Sequence, residues 1–393
     1  MKRIGIFQYK WPLQVHTINL VTKLAESGFQ VDLYLYRCNS SFVSTKLLTF
    51  HPGVKLFFTD DGDPVFRIFH RIIRKLRRIL GHPNPKPLSL EQLVRKTLKK
   101  MRSNRYDYFI GIEKNGLIWA GMLSGKLNIP YIYYSLELYI DRHPELDSFI
   151  NSDVILKEEK KYHARAAGTI IQDQLRAKAL FECNGIEEKN SIYIPVSVTG
   201  KKINDTSRFL HEKLGIEYSK KIVIYIGWVR KKRGVDELMR CASRLGDDFV
   251  MVFHGPFLPE VSTENSFGGK VFFSREMTSS EDIPKIVSSA YIGVAYYGNA
   301  TINDRLTAFS SEKIAHYMQC GLPVIAHRNE SYELLMQQHH CGEMIDNIQQ
   351  LPEAVQKIDS DYSHYRDNAF TAYEHFYSFD KNIRALTDFL YCH

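Results

Sequence analysis

At 393 residues the chain is too long for one ordinary domain core and suits two of roughly 150–200 residues each. Hydrophobic residues make up 44% and charged residues 24%, globular values that exclude a disordered or fibrous chain. The net charge of +8 is concentrated in residues 64–105, where 13 Lys/Arg face the single acid Glu91; the remainder is net acidic, which excludes a generally basic nucleic-acid binder.

Residues 3–9 read as a buried strand. Apolar spacing at Leu13, Ile18, Leu20, Val21, Leu24 and Ala25 predicts a helix over 13–27, stopped by Gly28. Strands follow over 29–36, 54–58 and 106–112, then a small-residue helix over 117–127 and strands over 131–134, 168–172 and 191–195. The last two are separated by a helix ending near Asn184-Gly185. The pattern then restarts. A polar stretch over 199–217 reads as linker plus helix, and strands are predicted over 221–227, 248–254, 271–273, 292–296 and 323–327. Helices are predicted over 235–245, 283–289 and 311–320. Continuous apolar strands alternating with helices predict parallel sheets covered on both faces, hence two doubly wound α/β domains joined near residue 200 and facing a cleft. Ligands of such sheets sit beyond the carboxyl ends of the strands.

Six scattered cysteines without a CxxC (Cys38, Cys183, Cys241, Cys320, Cys341 and Cys392) read as reduced thiols of a cytoplasmic protein. Gln8-Tyr9-Lys10 cuts the first apolar run short of a signal peptide, and no run approaches the 18 or so apolar residues needed to span a bilayer. The expected location is therefore cytoplasmic.

Two constellations point to phosphate chemistry. In the first, a strand enters Gly227-Trp228-Val229-Arg230-Lys231-Lys232-Arg233-Gly234 before a helix. Glycine admits a ligand to the backbone, cations neutralise it and a helix start offers N–H groups, which suits a pyrophosphate. A solvated basic loop is the competing reading. In the second, Ser310 or Ser311 caps a helix whose Glu312, Lys313 and His316 share one face before Gly321-Leu322-Pro323. That polar face can grip sugar hydroxyls and phosphate; an ordinary capped surface helix explains it equally.

The run Gly321-Leu322-Pro323-Val324-Ile325-Ala326 after Tyr317-Met318 resembles the nucleotide-sugar helix of family 4 glycosyltransferases of the GT-B fold. The resemblance extends to Gly227 with Arg233-Gly234, to Ile18-Asn19-Leu20-Val21, Leu24-Ala25 and Gly28 with Val31, and to Ile194-Pro195-Val196. It thus spans nearly the whole chain in order. It implies an acceptor-binding Rossmann-like domain over 1–198, a nucleotide-sugar-binding one over 199–375, and a final helix over 376–393 packing back toward the first. It implies transfer of a hexosyl or N-acetylhexosaminyl group from a nucleotide diphosphate sugar to a glycan or lipid-linked glycan, in cell-surface polysaccharide or glycoconjugate synthesis. Retention of configuration is implied, with no metal and no cofactor beyond the co-substrate. The donor-binding residues it implies are Gly227, Arg230, Arg233, Gly255, Arg275, Ser311, Glu312, Lys313 and His316, with Arg230, Arg233 and Lys313 assisting the departing diphosphate.

The chain departs from the family pattern. The paired glutamates, eight apart, would fall at Ala308 and His316; Trp228 replaces an arginine, and Gln8-Tyr9-Lys10-Trp11-Pro12 replaces a glycine-rich loop. These changes suit a divergent subgroup. Two rivals share the architecture: a sugar-nucleotide 2-epimerase and an inactive GT-B binding protein.

In the first half, Glu113 and Glu137 follow predicted strands and His16 lies in the first helix; each is placed to orient or deprotonate an acceptor hydroxyl. A capping carboxylate and a surface histidine are the plain alternatives. Asp61-Gly62-Asp63 could hold a divalent cation with a diphosphate, but an acidic turn before Pro64 explains it equally; His339-His340-Cys341 lacks further ligands at zinc spacing, and no metal is expected. Val65, Phe66, Ile68, Phe69, Ile72, Ile73 and Leu76 lie opposite Arg67, Arg71, Arg74 and Lys75, and a second cationic set runs from Arg95 to Arg102. The segment from Arg67 to Arg105 is a candidate for an anionic membrane surface, making the protein peripheral there; a core-packed helix with a basic face is the alternative.

Overall fold

The computed structural model describes residues 1–9, 15–36, 51–59, 89–101, 104–140, 153–231, 234–261, 267–276, 278, 282–298 and 300–392. They form two compact units, Met1–Tyr193 with Ile383–His393, and Ile194–Asn382. Asp61, Gly62 and Asp63, the cations from Arg67 to Lys86, and Arg102 and Arg233 lie outside the described residues.

In the first unit, β1 (Arg3–Gln8), β2 (Gln30–Leu35), β3 (Val54–Phe58), β4 (Tyr108–Ile112), β5 (Tyr131–Tyr134), β6 (Gly168–Ile171) and β7 (Ser191–Tyr193) form a parallel sheet. The order is β3-β2-β1-β4-β5-β6-β7, so the winding reverses between β1 and β4. Strands β4, β5 and β6 are buried at every position, which explains their unbroken apolar runs.

The helix expected over 117–127 begins earlier, at Glu113, directly after β4. Its polar start, Glu113-Lys114-Asn115, hid it from an apolar pattern. Two glycines make the abrupt turn sterically feasible: a Cβ on Gly111 would lie 2.4 Å from the Gly116 carbonyl oxygen, and one on Gly116 2.5 Å from that of Phe7. Helix and strand therefore meet backbone to backbone.

The second cationic set falls largely on the helix Leu90–Met101, whose Leu93, Val94, Thr97 and Met101 are buried. Thr97 Oγ1 accepts from the Trp119 indole (3.1 Å), while Arg95, Lys99 and Lys100 remain exposed. The apolar face of this helix packs into the core, and the apolar stripe from Val65 to Leu76 lies outside the described residues. No helix among the described residues is long and apolar enough to cross a membrane.

The second unit has its own parallel sheet, ordered β10-β9-β8-β11-β12-β13. Its strands are β8 (Lys221–Ile226), β9 (Phe249–His254), β10 (Val271–Ser274), β11 (Ile292–Ala295), β12 (Val324–His327) and β13 (Gly342–Ile345). Ile222, Ile224 and Ile226 pack on one face with Tyr317 and Met318; Val223 and Tyr225 pack on the other with Val235 and Leu238. That is the period-two division of a strand covered on both sides. Strand β13 and the helices Leu351–Ser360 and Tyr362–Ala372 were not expected from the sequence. The helix Phe379–Cys392 carries the chain back to the first unit, where Lys2 Nζ donates to the Leu390 carbonyl (2.6 Å) and the Tyr391 hydroxyl to that of Ser27 (2.7 Å).

Candidate active site

Strand β8 ends in Gly227, whose φ of +112° a side chain would resist. Gly255, after β9, has φ +131°, and a Cβ there would lie 2.3 Å from the Gly227 carbonyl oxygen. Two strand ends thus stack as bare backbone. Lys313 reaches this turn from the helix Glu312–Gln319: a Cβ on Gly227 would be 3.9 Å from its Nζ. The ammonium also lies 4.1 Å from the Tyr225 ring centroid and 4.7 Å from that of Tyr297, cation–π contacts that steer it.

Tyr317 anchors that helix. Its ring fills space beside Gly293, where a Cβ would come within 2.4 Å. Its hydroxyl accepts from Ile226 N (3.1 Å) and faces the carbonyls of Ile224 (3.2 Å) and Val294 (3.4 Å). Burial holds the phenol far above its ordinary pKa, so it stays neutral. One turn earlier on the same face, Lys313 inherits this position. Ser311 precedes the helix but makes no capping bond; its hydroxyl pairs with that of Tyr297 (2.6 Å). The first-turn N–H groups therefore lack a side-chain cap, the condition under which a helix start favours an anion.

His316 is 5% exposed, and neither ring nitrogen makes a hydrogen bond among the described residues. Glu312 Oε1 lies 3.6 Å from its Nε2. Ala308 is fully enclosed, its N–H on Ser331 Oγ (3.1 Å) and its carbonyl on the Tyr377 hydroxyl (2.8 Å). Arg230 sits 5.4 Å from the Trp228 ring, with a buried Nε that makes no hydrogen bond among the described residues. Beyond it the helix Val235–Ala242 opens with Asp236 and Glu237. Like charge makes that helix start the poorer of the two for phosphate, contrary to the simple strand–glycine–cation–helix expectation.

Sequence reasoning missed His254, whose signal was its place at a strand end before Gly255. Its Nδ1 pairs with Ser274 Oγ (2.9 Å) and its Nε2 with Thr278 Oγ1 (2.8 Å), tying β9 to the segment that carries Arg275. Burial, with Lys213 nearby, lowers its pKa to about 4, so the ring is neutral at ordinary pH. Arg275 is exposed, with its guanidinium 5.6 Å from the Phe257 ring.

In the first unit the acceptor-side candidates stand after three neighbouring strands: His16 after β1, Glu113 after β4 and Glu137 after β5. Glu113 adopts φ +60°. Its Oε1 accepts from the Glu137 amide (3.1 Å), while its Oε2 is buried without a hydrogen-bond partner among the described residues. Burial, and secondarily the Glu137 carboxylate, push its pKa well above the usual range. Glu137 itself is exposed. His339 stacks edge-on against His375, Cys341 is buried, and no group of three or more potential metal ligands occurs among the described residues.

Residues 250–376 match the family model described as the glucosyltransferase 3-like C-terminal domain. No curated protein matches the chain by sequence. Among solved structures, sucrose-phosphate synthase from Thermosynechococcus elongatus is similar over 100% of both chains, with a TM-score of 0.70 at 14% identity. Anabaena HepE in complex with UDP has a TM-score of 0.70 at 14% identity, again over 100% of both chains. WaaG, a glycosyltransferase involved in lipopolysaccharide biosynthesis, has a TM-score of 0.62 at 12% identity over 98% of this chain and 99% of that one. The architecture is that of the GT-B glycosyltransferases, and the match to the glucosyltransferase 3-like model falls within the second unit.

Proposed function

We propose that this GT-B glycosyltransferase moves a hexosyl or N-acetylhexosaminyl group from a nucleotide diphosphate sugar to a glycan or lipid-linked glycan, with retention and without a metal. The observation that carries the reading is Lys313, held by two tyrosine rings at the bare Gly227 turn beside an uncapped helix start. A cation, open backbone and first-turn N–H groups together suit a diphosphate and stabilise it as it leaves. Arg230 supplies a second cation, and Arg233 a third on the sequence reading. His316 has ring nitrogens available for a ribose hydroxyl. Arg275 is assigned to the base side. Hence the second unit takes the donor and the first, through Glu113, Glu137 and His16, the acceptor.

The Anabaena HepE structures hold UDP and, in another crystal, UDP-glucose, which makes UDP-glucose the first donor to test. The experiment is turnover of a panel of nucleotide sugars with the nucleotide that raises the melting temperature most. Release of the nucleoside diphosphate with transfer to a glycan supports the reading; C2 inversion of the donor sugar without transfer would replace it with an epimerase. The exposed Arg95, Lys99 and Lys100 and the cations over 67–86 are proposed to draw the enzyme electrostatically to an anionic cytoplasmic membrane face, where a lipid-linked acceptor would be met.

A further inference from the structure

The loop after β5 is held by side chains from two other parts of the first unit. Gln172 Nε2 donates to the Ser135 carbonyl (2.8 Å), Arg176 Nη2 to that of Leu136 (2.9 Å) and Lys114 Nζ to that of Tyr139 (2.8 Å). Glu113 Oε1 accepts from the Glu137 amide between them (3.1 Å). The clamps are themselves locked. Arg176 Nε donates to Gln172 Oε1 (2.6 Å), Lys114 pairs with Glu159 Oε2 (2.9 Å), and the Tyr133 hydroxyl donates to Glu159 Oε1 (2.9 Å). Lys114, Glu159, Gln172 and Arg176 are all buried.

Burying an ion pair and a guanidinium costs more than a surface loop requires, since loops ordinarily meet their backbone bonds with water. Glu113 adds backbone strain: φ +60° is disfavoured for a residue with a Cβ, and strain of this kind collects at functional sites. Its unpartnered, buried Oε2 is a third anomaly at the same place. All three converge on a loop in which Glu137 is the one carboxylate among the described residues 135–140, and it is exposed.

We propose that Glu113, Lys114 and Arg176 are positioning residues that hold Glu137, through the backbone of its loop, as the group that accepts a hydrogen bond from an acceptor-sugar hydroxyl and orients it for attack. The inference rests on the first unit being the acceptor side. In the step it serves, the hydroxyl oxygen bonds to the anomeric carbon and the bond from that carbon to the diphosphate breaks. The hydroxyl attacks on the face that the diphosphate leaves, so configuration is retained; the electron pair leaves on the diphosphate, whose oxygen takes the hydroxyl proton while Glu137 holds the hydroxyl in place. The titratable groups facing Glu113 are Glu137 and Tyr139 on the loop, Tyr133 and Tyr134 on β5, Arg176 and Glu159. Enclosure among them favours a neutral Glu113, which removes like-charge repulsion from Glu137.

The test measures transfer and UDP-induced thermal shift in the parent, Glu113→Ala and Glu113→Gln. Glu113→Ala should lower kcat at least tenfold and leave the UDP shift unchanged. Glu113→Gln keeps an oxygen for the Glu137 amide and cannot ionise. It should lose at least fivefold less than alanine and lack the alkaline fall of kcat that ionisation of Glu113 is expected to give the parent. A kcat within twofold of the parent in Glu113→Ala, or an unchanged alkaline limb in Glu113→Gln, overturns the inference. If Glu113→Ala does not fold, the pH profile of Glu113→Gln decides alone. A parent that binds UDP yet transfers to no glycan would instead bring down the acceptor-side reading, and this inference with it.

Discussion

Replacing Lys313 with Met removes the ammonium and keeps an unbranched stem between Tyr225 and Tyr297. The cation–π contacts at 4.1 and 4.7 Å are lost, but a thioether packs favourably against aromatic rings, so the unliganded melting temperature should change little. The ligand response should change much more. A charge-assisted hydrogen bond is worth about 1.5–3 kcal/mol, which is roughly a 10- to 150-fold loss of diphosphate affinity. At a UDP concentration of about 100 times the parent Kd, binding stabilises the parent by about 2.7 kcal/mol. The same concentration would stabilise the variant by only about 0.3–1.4 kcal/mol. At about 2–4 °C per kcal/mol for a unit of this size, a shift of roughly 5–10 °C should fall to roughly 1–5 °C. Differential scanning fluorimetry with UDP, and uridine as a phosphate-free control, reads this directly. Equal UDP shifts in parent and variant would remove Lys313 from the diphosphate site and with it the main support for the donor assignment.

His316→Ala should weaken UDP by about 2- to 12-fold, the worth of one neutral hydrogen bond, and leave the affinity for inorganic diphosphate unchanged in calorimetry; equal loss for both ligands would contradict a ribose contact. Stability should fall as pH drops from 6.5 toward 4. The unfolded chain takes up protons there that the buried rings of His254 and His163, both lowered to about 4, refuse. Each ring contributes at most about 1.4 kcal/mol per pH unit in that window, and His254→Gln should flatten the urea-midpoint profile across it; an unchanged profile refutes the buried neutral ring. Vesicles rich in anionic lipid should bind the protein at low salt and release it as salt rises, at about 1 kcal/mol per engaged cation. Joint replacement of Arg71, Arg74, Lys75 and Arg78 by Gln should abolish this and spare the UDP shift; indifference to such vesicles at low salt would mean a soluble acceptor.

The architecture was legible in the sequence because a parallel strand covered on both faces must be apolar along its whole length. Runs such as Tyr108–Ile112 and Lys221–Ile226 announce themselves without knowledge of their neighbours. The Gly227 turn and the helix ending at Gly321 were legible for the same local reason, since both glycines take positive φ. What the sequence left open depended on contacts between distant residues. The cations Arg95, Lys99 and Lys100 could be counted in the sequence, but only the packing of Leu93, Val94 and Thr97, the last against Trp119, shows what the opposite face of their helix touches. Tyr317 looked like part of a family signature and proved to be the peg that sets Lys313 beside Gly227. Glu113 and Glu137 were separate candidates until the pairing of β4 with β5 brought one carboxyl beneath the other's amide, with Lys114 and Arg176 closing on the same loop. Periodicity records which face of an element is buried; which polar groups meet there depends on strand order and register, and those exist only once the chain is folded.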